Sequence, residues 1–170
     1  MEPHAAHFIT STVVGWLPVF TTEARCQIVV DALEYCRQHK ALKVYGWVIL
    51  DNHLHAVVEA PDLPRVMADF KRHTARRVIE RLREDNATWL LRLLREACPG
   101  YKEESNYQFW QEGYHPQAVE SDAVMEQKLT YLHNNPVVRG LVAVPEHWRY
   151  SSAHEWCDGA FPVLRCDPWR

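Results

Sequence analysis

Two apolar runs on either side of a two-residue break constrain the fold of this chain more than any other feature. Residues 44–50 and 56–58 flank Asp51-Asn52-His53-Leu54-His55. Apolar, β-branched runs around an Asp-Asn break predict a β-hairpin with strands over 42–50 and 53–60. Side chains alternate along a strand, so His53 and His55 share one face while Leu54, Ala56 and Val58 take the other. Two imidazoles side by side on a rigid element can hold a metal ion. With ten histidines in the chain, roughly half a His-x-His pair arises by chance. Spacing alone therefore does not establish a metal site.

The remaining elements arrange themselves around that hairpin. Residues 7–14 are rich in β-branched side chains and read as a first strand. From Thr22 to about His39, Ile28, Val29, Ala32, Leu33 and Cys36 mark one face of a helix, with Thr21 or Thr22 as its cap. Pro61 and Pro64 end the hairpin and open a second helix over 64–84, with Asp62 as a candidate cap. At about 100° per residue, Arg65, Arg72, Arg76 and Arg83 fall in one stripe of that helix. Met67, Phe70, Thr74, Val78 and Leu82 fall opposite, and Lys71, Arg77 and Arg81 flank the stripe. Residues 65–83 hold seven Lys and Arg against only Asp69 and Glu80. Such a face is either solvated surface over a core stripe or a phosphate-binding surface.

Residues 85–101 are less regular, with a short helix over 89–94 ended by Pro99-Gly100. Residues 86–106 read as an insertion between core elements. Residues 107–111 are aromatic and strand-like, and 117–119 are short and extended. Ser121 caps a last helix to Asn134 or Asn135, where Pro136 is expected to break it. Val124, Met125, Leu129 and Leu132 form its apolar stripe. Tyr131 sits at the stripe's edge, with Asn135 one turn further on. The periodicity alone fits an ordinary boundary residue at Tyr131. The order β-α-β-β-α-β-β-α predicts an α+β fold, an antiparallel sheet of four or five strands with helices packed on it.

Composition narrows the class. At 170 residues the chain suits one domain spanning 1–170. It is 47% hydrophobic and 24% charged, ordinary for a globular protein. No run approaches the ~20 apolar residues of a membrane span, and no basic-then-apolar signal pattern opens the chain. Five scattered cysteines, none in a Cys-x-x-Cys pair, suggest neither a zinc knuckle nor a disulfide framework, so a reducing cytoplasm is expected. A net charge of −3 argues against wholesale coating of DNA but allows a local basic face.

Several motifs together resemble the single-tyrosine HUH transposases, and within them the REP-associated tyrosine transposases of bacteria. His53-Leu54-His55 at the start of a strand matches the HUH motif. Phe109-Trp110-Gln111-Glu112-Gly113-Tyr114 resembles a Trp-Gln-x-Gly-Tyr segment. The run from Tyr131 through Asn134-Asn135-Pro136 to Arg139-Gly140-Leu141-Val142 resembles the family's Tyr-to-Val signature, and Trp148-Arg149-Tyr150-Ser151-Ser152-Ala153 its tail. The resemblance covers about residues 7–155. Two departures stand out: Asp51-Asn52 replaces the usual Pro-Asn, and Arg139 falls one place late.

The resemblance implies that Tyr131 is the nucleophile and that His53 and His55 ligate a divalent metal, Mg²⁺ or Mn²⁺, with Asn135 as third ligand. It implies single-stranded, hairpin-forming DNA as substrate, a 5′-phosphotyrosine intermediate with a free 3′-OH, and a monomer or homodimer. The residue chemistry agrees. A phosphodiester repels nucleophiles through its charge, and a cation on a non-bridging oxygen relieves that. Two imidazoles and an amide oxygen leave positions open for phosphate and water. The basic stripe Arg65, Arg72, Arg76 and Arg83, with Lys71 beside it, would track the DNA backbone. Two other readings stay open: a catalytically silent nucleic-acid-binding protein on the same fold, and a metal hydrolase with a water nucleophile.

Overall fold

A computed structural model describes residues 5–100, 106–156 and 162–170. Its order is β1 (His7–Thr12), α1 (Glu23–His39), β2 (Lys43–Ile49), β3 (His53–Glu59), α2 (Leu63–Glu84), α3 (Thr88–Glu96), β4 (Gln117–Ala118) and α4 (Asp122–Val138), with short 3₁₀ turns between and after them. The sheet is four-stranded and antiparallel in the order β2-β3-β1-β4. The expected α+β class and strand count hold.

The alternation in β1, β2 and β3 sends side chains into two separate cores. On one face Ile9, Val13, Trp47, Ile49, Leu54, Ala56 and Val58 pack with α1 and α2. That helix layer contributes Val29 and Leu33 from α1, and Met67, Phe70, Val78 and Leu82 from α2, all buried. Opposite, a smaller cluster joins Phe8, Val48, Leu50 and Val57 to Met125, Leu129 and Leu132 of α4. Helix α4 lies close on the sheet because β2 has Gly46 there. A Cβ at Gly46 would overlap Leu129 Cδ2. Caps follow the sequence: Thr22, Asp62 and Ser121 side chains each accept a backbone N–H three residues on.

Three expectations change. Helix α4 does not break at Pro136 but runs on to Val138. A proline one turn from a helix end forfeits a single bond to the carbonyl four residues back. The helix then closes at Gly140 (φ +72), whose N–H bonds Val137 O at 2.9 Å while Leu141 N–H bonds Pro136 O at 2.9 Å. Residues 107–111 form no strand, although Val14 N–H to Phe109 O and Gln111 N–H to Thr12 O, each 2.8 Å, tie them beyond the end of β1. The order is therefore β-α-β-β-α-α-β-α, because α3 is a full helix and only β4 follows it. Leu90 and Leu94 of α3 enter the main core, so part of the segment expected as an insertion belongs to it. Residues 101–105 of that segment, and Cys157, lie outside the described residues.

The C-terminal segment covers the edge of β2. Asp167 N–H bonds Val44 O at 2.7 Å, and its carboxylate takes Val44 N–H at 2.9 Å and the Arg37 guanidinium at 3.1 Å. Between α4 and this sheet His133 Nε2 lies 2.7 Å from Ser152 Oγ, and burial depresses its pKa to about 4. An unfolded histidine titrates near pH 6.5, so between there and pH 4 the unfolded chain binds a proton that the folded one excludes. The contribution of His133 to stability is complete above about pH 6.5 and is lost as pH falls toward 4. Substituting His133→Gln is expected to remove about one proton from that slope. Urea midpoints taken at half-unit pH steps read the difference between the two proteins.

Candidate active site

The register of β1 on β3 builds the site. Thr10 lies opposite His55 and Thr12 opposite His53, which puts both threonines and both histidines on the face that carries α4. The two imidazoles stand with ring centroids 4.5 Å apart. Burial pushes the His53 pKa down to about 4, with the nearby Arg139 charge adding to the effect and Asp51 opposing it. His55 falls to about 3, through burial first and then its neighbour His53. Both rings are therefore neutral at pH 7 and keep a lone pair.

Their outer nitrogens are held. His53 Nδ1–H donates to Asn52 Oδ1 at 2.6 Å, while Asn52 Nδ2 donates to Trp16 O at 3.3 Å and Arg139 Nη1 reaches Asn52 Oδ1 at 3.4 Å. An amide oxygen only accepts, so this set fixes the amide orientation and leaves the His53 Nε2 lone pair free. His55 Nδ1 pairs with Thr10 Oγ1 at 2.8 Å, which orients the ring and keeps Nε2 outside that bond; a hydroxyl both donates and accepts, so this pair sets orientation and not the tautomer. The donors fit a divalent cation. Among the described residues no group of three or more His, Cys, Asp or Glu could hold one, so a third protein ligand would have to be a neutral oxygen.

Helix α4 brings Tyr131 to this pair. Its ring packs 5.5 Å from the His55 ring and 5.8 Å from Phe8, and the side chain is 53% exposed. Asn135 is half-buried one turn further on, and it does not line the open cavity of about 470 Å³ formed by Thr10, Thr12, Trp16, Asn52, His53, His55 and Arg139. The other tyrosines that the sequence offered are placed differently. Tyr150 is buried, its hydroxyl donating to Glu23 O at 3.4 Å, and burial raises the Tyr114 pKa to about 12.

Sequence reasoning missed Thr10, Asn52 and Arg139 as site residues. Arg139 stands two turns beyond Tyr131 and forms an ion pair with Asp51 at 2.7 Å. Its i+8 spacing from Tyr131 was legible, but the break expected at Pro136 cut it off from the helix. The ion pair also gives Asp51 a place: it anchors the guanidinium beside His53 and does not touch the imidazoles through any hydrogen bond among the described residues. Thr10 had no local signal, since only strand register sets it opposite His55.

Taken as a fold, this arrangement has a counterpart. Among solved structures the chain is similar to a REP-associated tyrosine transposase bound to a REP hairpin, with a TM-score of 0.65 and 18% identity over 98% of this chain and 87% of that one. The two chains share a fold. No protein-family model and no curated protein matches.

The basic stripe lies elsewhere. Arg65, Arg72, Arg76 and Arg83 are exposed on the outer side of α2, across the sheet from α4. Arg72 pairs with Asp69 and Arg76 with Glu80, each at 3.1 Å, and Arg83 stacks 5.5 Å over the Tyr107 ring. Lys71 donates to Gly113 O at 3.3 Å, and burial lowers its pKa. Lys71, Arg72, Arg76 and Arg83, together with residues 106–110, line a basic groove that Arg65 does not reach. The structure therefore does not bring the stripe to the histidines and tyrosine. No helix among the described residues is long and apolar enough to cross a membrane.

Proposed function

We propose that this chain is a divalent-metal-dependent nuclease and strand-transferase acting on single-stranded, hairpin-forming DNA, with Tyr131 as nucleophile. The observation that carries the reading is the placement of Tyr131 5.5 Å from the ring of His55, itself 4.5 Å from His53. The shared fold with a hairpin-bound tyrosine transposase supports it. In this reading the Tyr131 oxygen attacks a DNA phosphorus and the bond to the 3′ oxygen breaks; the phenolic proton passes to water that reaches the exposed ring, and the leaving 3′ oxygen takes a proton from water. The products are a 5′-phosphotyrosine and a 3′-OH, and reversal with another 3′-OH rejoins a strand without a nucleotide cofactor.

His53 and His55 would hold Mg²⁺ or Mn²⁺ through Nε2, with Asn135, one helical turn beyond Tyr131, as the third ligand through its neutral amide oxygen. The bound cation would neutralise phosphate charge as it builds. Asn52 keeps His53 in one tautomer and one orientation, and Thr10 orients the His55 ring. Arg139 adds a fixed positive charge at the same cavity. Tyr131 meets His55 of its own chain, which supports use within one protomer. Such a substrate places the reaction in the bacterial cytoplasm.

A hairpin-forming strand with an unpaired flank offers single-stranded nucleotides and a duplex stem, so two separate protein surfaces suit it. The arginine stripe on α2 would take the second. Replacing Arg65, Arg72, Arg76 and Arg83 together with alanine is expected to lower the slope of log affinity against log salt by up to roughly 3, at about 0.7–0.9 per lost phosphate contact. An unchanged slope would remove the stripe from the interface.

The test of the function is direct. Labelled hairpin DNA with an unpaired arm, incubated with the protein and Mn²⁺ or Mg²⁺, is expected to give an adduct that survives detergent and is absent with EDTA. DNA binding with no adduct would favour the silent binding protein. Metal-dependent cleavage without an adduct would favour a water nucleophile.

A further inference from the structure

Trp16 stands at the rim of the cavity that holds His53 and His55, and nothing in the reaction above uses it. Its side chain is 67% exposed, and its ring has no aromatic or cation partner among the described residues. Its backbone is left-handed, φ +51, directly after Gly15 at φ +63. The pair makes residues 14–17 a tight turn, closed by Leu17 N–H to Val14 O at 3.4 Å. Glycine or asparagine ordinarily takes such positions, because a bulky side chain there is strained against its own backbone. This turn is nevertheless pinned: Trp16 N–H bonds Val13 O at 3.0 Å and Asn52 Nδ2 donates to Trp16 O. The same amide receives His53 Nδ1–H and faces Arg139. One side chain thus orients the tryptophan, an imidazole and a guanidinium together.

A large ring left in water on a strained backbone gains nothing for stability, and strain of this kind gathers where function requires it. Every nucleobase offers a π face, and stacking on an exposed aromatic ring is a sequence-tolerant way to hold an unpaired base. We propose that Trp16 is a stacking platform for one unpaired nucleobase next to the phosphate that enters the His53–His55 cavity. It is a substrate-positioning residue: it sets which phosphate lies near Tyr131 without choosing the sequence. The inference rests on the single-stranded DNA reading given above.

The experiment measures binding in the Tyr131→Phe background, where no chemistry follows, with Trp16 kept or changed to Phe or Gly. The probes are a hairpin DNA with an unpaired arm and a series in which each unpaired nucleotide in turn is abasic. Trp16→Gly is expected to bind the intact DNA about 10- to 100-fold more weakly, and Trp16→Phe to keep most of the affinity. One abasic position should weaken the Trp16 protein by a similar factor and leave Trp16→Gly unaffected. Glycine accepts φ +51, so the thermal midpoint of Trp16→Gly should hold or rise, which separates lost stacking from lost folding. Equal affinities for Trp16 and Trp16→Gly on every DNA, or an abasic series that costs both equally, would overturn the inference while leaving the proposed function standing. If the Trp16 protein binds none of these DNAs, the proposed function falls and the inference with it.

Discussion

Tyr131→Phe is expected to bind hairpin DNA as the unchanged protein does and to lose the covalent adduct by at least about 10⁴-fold, since a reaction without its nucleophile has no path to the intermediate. The substitution removes one oxygen atom. The phenyl ring can keep its packing against Phe8 and His55, and the hydroxyl makes no hydrogen bond among the described residues. With the side chain 53% exposed, neither fold nor stability should change measurably. Adduct yield on a denaturing gel and affinity on a native one therefore part company in this variant. An adduct that persists would move the nucleophile to another tyrosine, and the placement of Tyr150 and Tyr114 makes each a poor substitute.

The hairpin about Asp51-Asn52 was legible because two signals coincide there, β-branched runs and a polar break, and β2 and β3 formed where they point. The amphipathic pattern of α2 was equally plain. Met67, Phe70, Thr74, Val78 and Leu82 are all buried, and the four arginines opposite are all exposed. What periodicity could not convey is which side of the sheet a helix takes. Both α2 and α4 show a face to the sheet, yet they lie on opposite faces, so a basic stripe and a tyrosine that look like parts of one site in sequence are separated by the sheet. Proline chemistry misled at Pro136, because a proline's cost depends on how many helical bonds remain beyond it. Here the Gly140 closure follows within one turn and the helix carries Arg139 up to Asp51.

The two cores differ in what they support. The larger one, beneath α1 and α2, holds most of the buried side chains, whereas α4 rests on the small cluster of Phe8, Val48, Leu50, Val57, Met125, Leu129 and Leu132. Tyr131 adjoins Leu132 in sequence, and its distance from His55 is set by how that cluster packs. Stability and site geometry should therefore respond differently to equal losses on the two faces.

Leu132→Ala and Leu33→Ala make that comparison. Both leucines are fully buried, Leu132 in α4 against the sheet and Leu33 in α1 on the other side. Each truncation is expected to cost about 2–5 kcal/mol, the range for a buried leucine whose cavity only partly collapses. With Leu132 shortened, α4 settles toward the sheet at Gly46 or tilts, and the phenol moves against the imidazoles. A misplacement of about 1 Å lowers the rate of an aligned displacement roughly 100-fold. The adduct rate of Leu132→Ala, measured well below its thermal midpoint, is expected to fall by that order. Leu33→Ala, with a similar loss in urea midpoint, should keep the rate of the unchanged protein. Parallel losses of rate in the two variants would mean that the tyrosine is positioned by the stability of the whole domain, and the small cluster under α4 would lose the role assigned to it here.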